Sequence, residues 1–231
     1  MSLLFDIVNV NGEASCLSSS RWLDILKGDE NAEFYQWLML YVKYKKKVTL
    51  GLTGATIVDV LKLNPKAIDL INKNPAIFEI VFRPFSHDIS LLRSTEGFEK
   101  NITLGIQVIK KEFKNVSPVF LPPEFMLTNE QLSKLTLKNI KSVFINSNRF
   151  PEEIENRIPK TPYEVLGVNG VKMGCITIDG KLTYDYLRAL HYYSSDVWNK
   201  SITTAKNKHV FSWLDGESSF LIPDGINREK F

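Results

Sequence analysis

Residues 3–145 alternate between two kinds of apolar pattern. Short, β-rich apolar runs occur at residues 3–8, 48–52, 76–82, 117–121 and 142–145, and each reads as a buried strand. Between them the apolar residues take helical spacing. Residues 31–46 carry Phe34, Trp37, Leu38, Leu40 and Tyr41 at such intervals, and residues 96–113 carry Ile102, Leu104, Ile106, Val108 and Ile109. Residues 65–73 open on Pro65, at a first-turn position where a missing N–H costs nothing. Residues 129–137 follow a helix-start signal, Thr128-Asn129-Glu130. Gly54 marks a strand-to-helix turn. Pro118 falls near the start of its strand, where proline is tolerated.

Buried strands that alternate with helices predict parallel βα units. The right-handed crossover rule then leaves a barrel or a doubly wound sheet. Neither GxGxxG nor GxxxxGK[ST] follows any strand, which argues against a nucleotide site. Around residue 150 the alternation stops. Residues 149–162 are rich in Pro, Glu and Asn and read as a loop. Residues 163–166 and 171–178 flank Asn169-Gly170, a hairpin signal. Residues 182–190 and 195–206 have helical spacing. Residues 209–214 form a last strand, ahead of Asp215-Gly216-Glu217. There is no internal repeat, and residues 1–231 are expected to form one domain, a size common for α/β barrels.

Composition narrows the function classes. Hydrophobic residues make up 44% and charged residues 24%, as in ordinary soluble globular proteins. A net charge of +3 is too small to predict a nucleic-acid partner. The basic run Lys43-Tyr44-Lys45-Lys46-Lys47 sits at a helix end, where cations complement the dipole. No apolar stretch approaches the roughly 18 residues of a membrane span, and no leader pattern opens the chain. The expectation is therefore a cytoplasmic protein, with the oligomeric state left open. Cys16 and Cys175 are far apart, lack metal-ligand spacing and make no disulfide framework; no metal or other cofactor is expected.

Active sites of parallel α/β folds gather at the C-terminal ends of strands. Two acids hold such positions: Glu124, after the run ending in Pro122-Pro123, and Asp215, after the last strand. They are 215 − 124 = 91 residues apart, hence on different strands. Paired carboxylates are the machinery of glycoside hydrolysis, one attacking or activating water and one protonating the leaving oxygen. Each acid also has an ordinary reading. Glu124 fits a helix-start charge, and Asp215 ahead of Gly216 fits a turn former.

The sequence around these acids resembles glycoside hydrolase family 57. FLPPE at 120–124 is similar to that family's nucleophile motif, written WLPE or WLTE. LDGE at 214–217 is similar to its acid/base motif. EIVFRPFSHDISLL at 79–92 resembles the strand that ends in an aromatic-rich turn, with His87 in the histidine position. ITIDGKLTYDYL at 176–187 resembles a segment of the glucanotransferase branch. The resemblance implies a (β/α)7 barrel, a distorted TIM-like fold, and a retaining double displacement on α-glucans. Glu124 would be the nucleophile and Asp215 the general acid/base. His87, Asn9, Asn11, Trp213 and Glu217 would be the substrate-binding residues, and an oligo- or polysaccharide the partner.

Departures accompany the match. The family's His-rich first motif, HxHQP, is replaced by Val8-Asn9-Val10-Asn11-Gly12, and its motif tryptophan is replaced around Leu121. Asn9 and Asn11 can hydrogen-bond sugar hydroxyls but carry no proton charge. The chain ends soon after the acid motif, ahead of the regions that usually follow it in the family. A second expectation is therefore a barrel that binds carbohydrate or a partner without catalysis. A third is an enzyme similar to the related polysaccharide deacetylases, with Asp6 and His87 imitating part of their metal site. The second histidine of that site would fall at Leu91, and only His191 and His209 remain elsewhere. Trp22, Trp37 and Trp198 fit packing better than sugar stacking. Asp179 and Asp185 fit solvated or helix-start positions.

Overall fold

The computed structural model describes residues 4–12, 18–146, 157–159, 162–166, 170–180, 210–216 and 220. For residues 4–6, 166, 210, 212, 214 and 215 the description is of the backbone. Among the described residues eight strands form one sheet: β1 Leu4–Val10, β2 Val48–Leu52, β3 Phe78–Phe82, β4 Val116–Phe120, β5 Ser142–Asn146, β6 Tyr163–Leu166, β7 Lys172–Ile178 and β8 Val210–Asp215. Their order is β6-β7-β5-β4-β3-β2-β1-β8. Every neighbouring pair is parallel except β6–β7, the predicted hairpin, with Gly170 at φ 72° in its turn.

The two ends of the parallel series meet. The Asp179 N–H, just past β7, donates to the Phe211 carbonyl of β8 at 2.8 Å. Among the described residues, seven parallel strands thus close into a distorted TIM-like barrel. This selects the barrel over the doubly wound sheet. The outer edge of β7 is divided: β6 covers its first half, from Lys172 to Cys175, and β8 meets its far end.

Period-two alternation sorts the strand residues into two cores. Ile7, Val81, Leu121, Phe144 and Ile178 are buried together inside the barrel, with Val119, Phe125, Ile176, Phe211 and Trp213 packed against them. Val8, Val10, Leu50, Leu52, Ile80, Phe82 and Val143 face outward into a larger core shared with the helices. The described helices are α1 Ser19–Leu26, α2 Glu33–Lys43, α3 Gly54–Leu63, α4 Pro65–Lys73, α5 Thr95–Glu112 and α6 Asn129–Leu137. Trp22 is buried and donates from Nε1 to Asp59 Oδ2 at 3.0 Å; Trp37 packs beside Phe34 and Tyr41. No described helix is long and apolar enough to cross a membrane. The predicted helices at 182–190 and 195–206 lie outside the described residues, as do Cys16, Asp185, His191, Trp198 and His209.

Candidate active site

The site begins with an irregularity in β4. Val81 pairs with Ser117, yet Phe82 pairs with Phe120, so Pro118 and Val119 are extra residues in a bulge. Proline has no N–H for a ladder, and a bulge is where a strand can accept it. The Pro118 carbonyl still accepts from the Lys141 N–H at 2.8 Å. The chain then leaves the barrel through Leu121, Pro122 and Pro123 and makes a 3-10 turn over Pro123–Phe125. Within it Glu124 and Phe125 take φ of 50° and 57°, the left-handed region. That conformation costs roughly 1–2 kcal/mol per non-glycine residue, and such costs gather where a side chain must be aimed. The Glu124 side chain is 40% exposed, at the open end of the barrel.

The loop after β3 supplies its neighbour. His87 Nε2 lies 3.4 Å from Glu124 Oε1, and His87 Nδ1 lies 2.7 Å from Arg83 Nη2. Arg83 is 1% exposed and reaches across the barrel mouth. Its Nη1 donates to the Leu121 carbonyl at 2.9 Å and its Nη2 to Asn11 Oδ1 at 2.5 Å. Glycine on β2 makes the space. A Cβ on Gly51 would sit 2.6 Å from Leu121 Cδ2 and 3.3 Å from Arg83 Cδ. A cation, an imidazole and a carboxylate are therefore linked by two successive contacts, carried beyond the ends of β3 and β4, with Asn11 beyond the end of β1 bracing the cation.

Further bonds hold this loop. The Phe85 N–H donates to the Asn101 carbonyl of α5 at 3.0 Å, and the Gly54 N–H to the Pro84 carbonyl at 3.1 Å. Asp88 Oδ2 accepts from Ser86 Oγ, Arg93 Nη2 and Asn101 Nδ2. Gln131, the third residue of the α6 capping box, also donates from Nε2 to the Ser90 carbonyl at 2.8 Å. The loops that bear His87 and Glu124 are thus one polar unit.

The other candidates distribute as follows. Asn9 and Asn11, at the end of β1, are 2% and 5% exposed and belong to the floor of the site. Trp213 on β8 is half-buried and meets Phe125 edge-on, with ring centroids 5.3 Å apart and planes at 83°. The Asp215 backbone lies beside Asn9 in the β1–β8 ladder, at the same end of the barrel as Glu124; its side chain lies outside the described residues, as does Glu217. Leu121, where the family has tryptophan, is fully buried inside the barrel. Leu91 is 49% exposed, and among the described residues no three His, Cys, Asp or Glu side chains gather as a metal site. Sequence reasoning missed Arg83. A signal existed, because Arg83 follows an apolar strand directly, the same criterion that singles out the two acids.

Solved structures share this architecture. A 4-alpha-glucanotransferase from Thermococcus litoralis superposes with TM-score 0.72 and 16% identity, over 94% of this chain and 33% of that one. A candidate polysaccharide deacetylase from Mycobacterium smegmatis gives TM-score 0.63 at 11% identity, over 92% and 76%. An exo-type maltose-forming amylase from Pyrococcus sp. ST04 gives 0.59 at 14%, over 98% and 44%. At these identities the likeness is one of fold, and the chain spans about a third of the glucanotransferase's length. No curated protein sequence matches. The family model described as glycosyl hydrolase family 57 matches residues 18–223, a span that takes in both strand-end acids and the Arg83–His87 loop, and on that match the chain belongs to glycosyl hydrolase family 57.

Proposed function

We propose that residues 1–231 form one catalytic barrel that cleaves or transfers α-glucan-like chains with retention of anomeric configuration. Glu124 attacks the anomeric carbon while Asp215 protonates the departing glycosidic oxygen. A glycosyl ester on Glu124 results. Asp215 then takes a proton from water or from a sugar hydroxyl, that oxygen attacks the anomeric carbon, and Glu124 is released. The observation that carries this reading is the Phe125–Trp213 contact, 5.3 Å between rings. It joins the residue after Glu124 to the residue two before Asp215, so the two acid-bearing segments converge at one mouth. Family membership supports a glycosidase or glucanotransferase, and the fold neighbours include both types.

Glu124→Gln is expected to abolish release of reducing ends from maltooligosaccharides while leaving the circular dichroism spectrum and melting temperature near those of the wild type. Unchanged turnover rules out Glu124 as the nucleophile. Retention requires carboxyl groups ~5–5.5 Å apart, and a separation of ~6.5–9.5 Å would instead mean inversion.

A second reading is a barrel that binds glycans without turnover. The floor favours it: Asn11 Oδ1 is engaged by Arg83, and Asn9 and Asn11 are buried where the family pattern has histidines. Glycan binding by calorimetry, with no product in a long incubation, would select this reading.

A further inference from the structure

The buried guanidinium does more than fill the floor. Arginine has N–H donors and no acceptor. The 2.7 Å contact between Arg83 Nη2 and His87 Nδ1 therefore requires Nδ1 to accept. With Nδ1 unprotonated, the ring's one proton is on Nε2, the nitrogen that faces Glu124 Oε1. A second ring proton would need the Nδ1 lone pair that Arg83 occupies, and would place two cations 2.7 Å apart. We propose that Arg83 is a positioning residue: it locks His87 as the neutral Nε2–H tautomer, so that the ring gives Glu124 a hydrogen bond but has no proton to hand over. The role attached to Glu124 rests on its reading as the nucleophile; the tautomer lock itself does not.

The consequence for the chemistry is specific. An imidazolium at this position would pair with the carboxylate and blunt its attack. A neutral N–H instead steadies the same oxygen when the glycosyl ester breaks. The 3.4 Å separation is at the long end for a hydrogen bond, and such contacts tighten around a bound substrate. The charged groups around the ring, among the described residues, are Arg83 from the end of β3 and Glu124 from the end of β4. On its own loop Asp88 is engaged by Arg93, Ser86 and Asn101. Asn11, from the end of β1, is neutral and fixes the far side of the guanidinium.

The test is a ring-nitrogen NMR titration of the intact, 15N-labelled protein, with the His87 signal identified by its loss in His87→Gln. The wild type is expected to show the Nε2–H tautomer at pH 7 and to protonate only below the ordinary histidine value of about 6.5. In Arg83→Met the ring should protonate near the ordinary histidine value of about 6.5, and the acid limb of kcat/KM should rise to the same pH. Arg83→Lys, which keeps a cation and a donor, should restore the wild-type acid limb. An Nδ1–H tautomer in the wild type, or protonation at or above that ordinary value, would overturn the proposal, as would a wild-type acid limb in a folded Met variant. If Arg83→Met does not fold, the wild-type titration and the Lys variant decide. If Glu124→Gln proves active while the tautomer stands, the nucleophile reading fails and the lock survives.

Discussion

Gly105 on α5 offers a sharp test of how the site is held. A Cβ there would lie 2.3 Å from the Arg83 carbonyl oxygen, 2.6 Å from the Pro84 carbonyl carbon and 2.8 Å from the Phe85 nitrogen. All three are backbone atoms, so no rotamer change can relieve the clash. Gly105→Ala must push α5 and the 83–88 loop apart by roughly 1 Å to restore ordinary contact. Overpacking of this kind costs about 1–3 kcal/mol. Against it stands the helix-propensity gain of alanine over glycine, about 1 kcal/mol. With three rigid contacts the upper end of the cost applies, leaving a net loss of about 2 kcal/mol. In a protein of this size that lowers Tm by roughly 4–8 °C. The same substitution at Gly97, in the first turn of the same helix, is the control. Its Cβ would meet only side-chain atoms, Ser94 Oγ at 3.2 Å and Arg93 Cδ at 3.8 Å, so little offsets the helix-propensity gain, and stability should hold or rise by up to about 1 kcal/mol. Urea unfolding followed by far-ultraviolet circular dichroism measures both, and turnover should fall further in Gly105→Ala because the displaced loop carries Arg83 and His87. A Gly105→Ala protein as stable as the wild type, or a Gly97→Ala protein that loses as much, refutes the packing argument.

Glu124→Asn should raise stability by roughly 0.5–1 kcal/mol while destroying activity, because asparagine tolerates the left-handed conformation that Glu124 holds at φ 50°. A lower Tm would show that the turn is not strained. Burial pushes the Cys175 thiol up to about 11 from 9.0, so the folded chain keeps a proton that the unfolded chain releases. Stability should accordingly decline as pH rises from about 9 towards 11, and Cys175→Ala should flatten part of that decline. Urea midpoints at pH 8 and pH 10.5 measure it, with a residual slope from Tyr163, which burial also raises. An unchanged slope in Cys175→Ala would remove the thiol from the account.

The strands were legible because each is a short apolar run closed by a turn residue. Residues 48–52 coincide with β2, since Thr53 and Gly54 stop the run sharply. The helix after it was harder. α3 reads Gly-Ala-Thr-Ile-Val-Asp-Val-Leu-Lys-Leu, and its β-branched residues mimic a strand. Thr53 decides otherwise by accepting the Thr56 N–H as an N-cap, and Ile57 and Val60 bury against the sheet. α1 was missed altogether, because it is one short amphipathic stretch whose buried face, Trp22, Ile25 and Leu26, finds its partners elsewhere in the chain. Of the site, strand-end logic found Glu124. It could not find the use made of Arg83. That guanidinium is buried because acceptors 72 and 38 residues away converge on it, and convergence over such distances has no local signature. Pro118 shows a similar limit: the residue is visible in the sequence, whereas the two-residue bulge around it is set by pairing with β3.

The divided edge of β7 gives the barrel a hinge-like asymmetry. At the rim, the Asp179–Phe211 bond ties β7 to the strand that carries Asp215. Lower down, the same edge is taken by β6, an antiparallel neighbour. A perturbation that peels β6 away acts on the first half of β7 and does not touch the Asp179–Phe211 bond, so the strand that carries Asp215 stays tied to β7 when the base loosens.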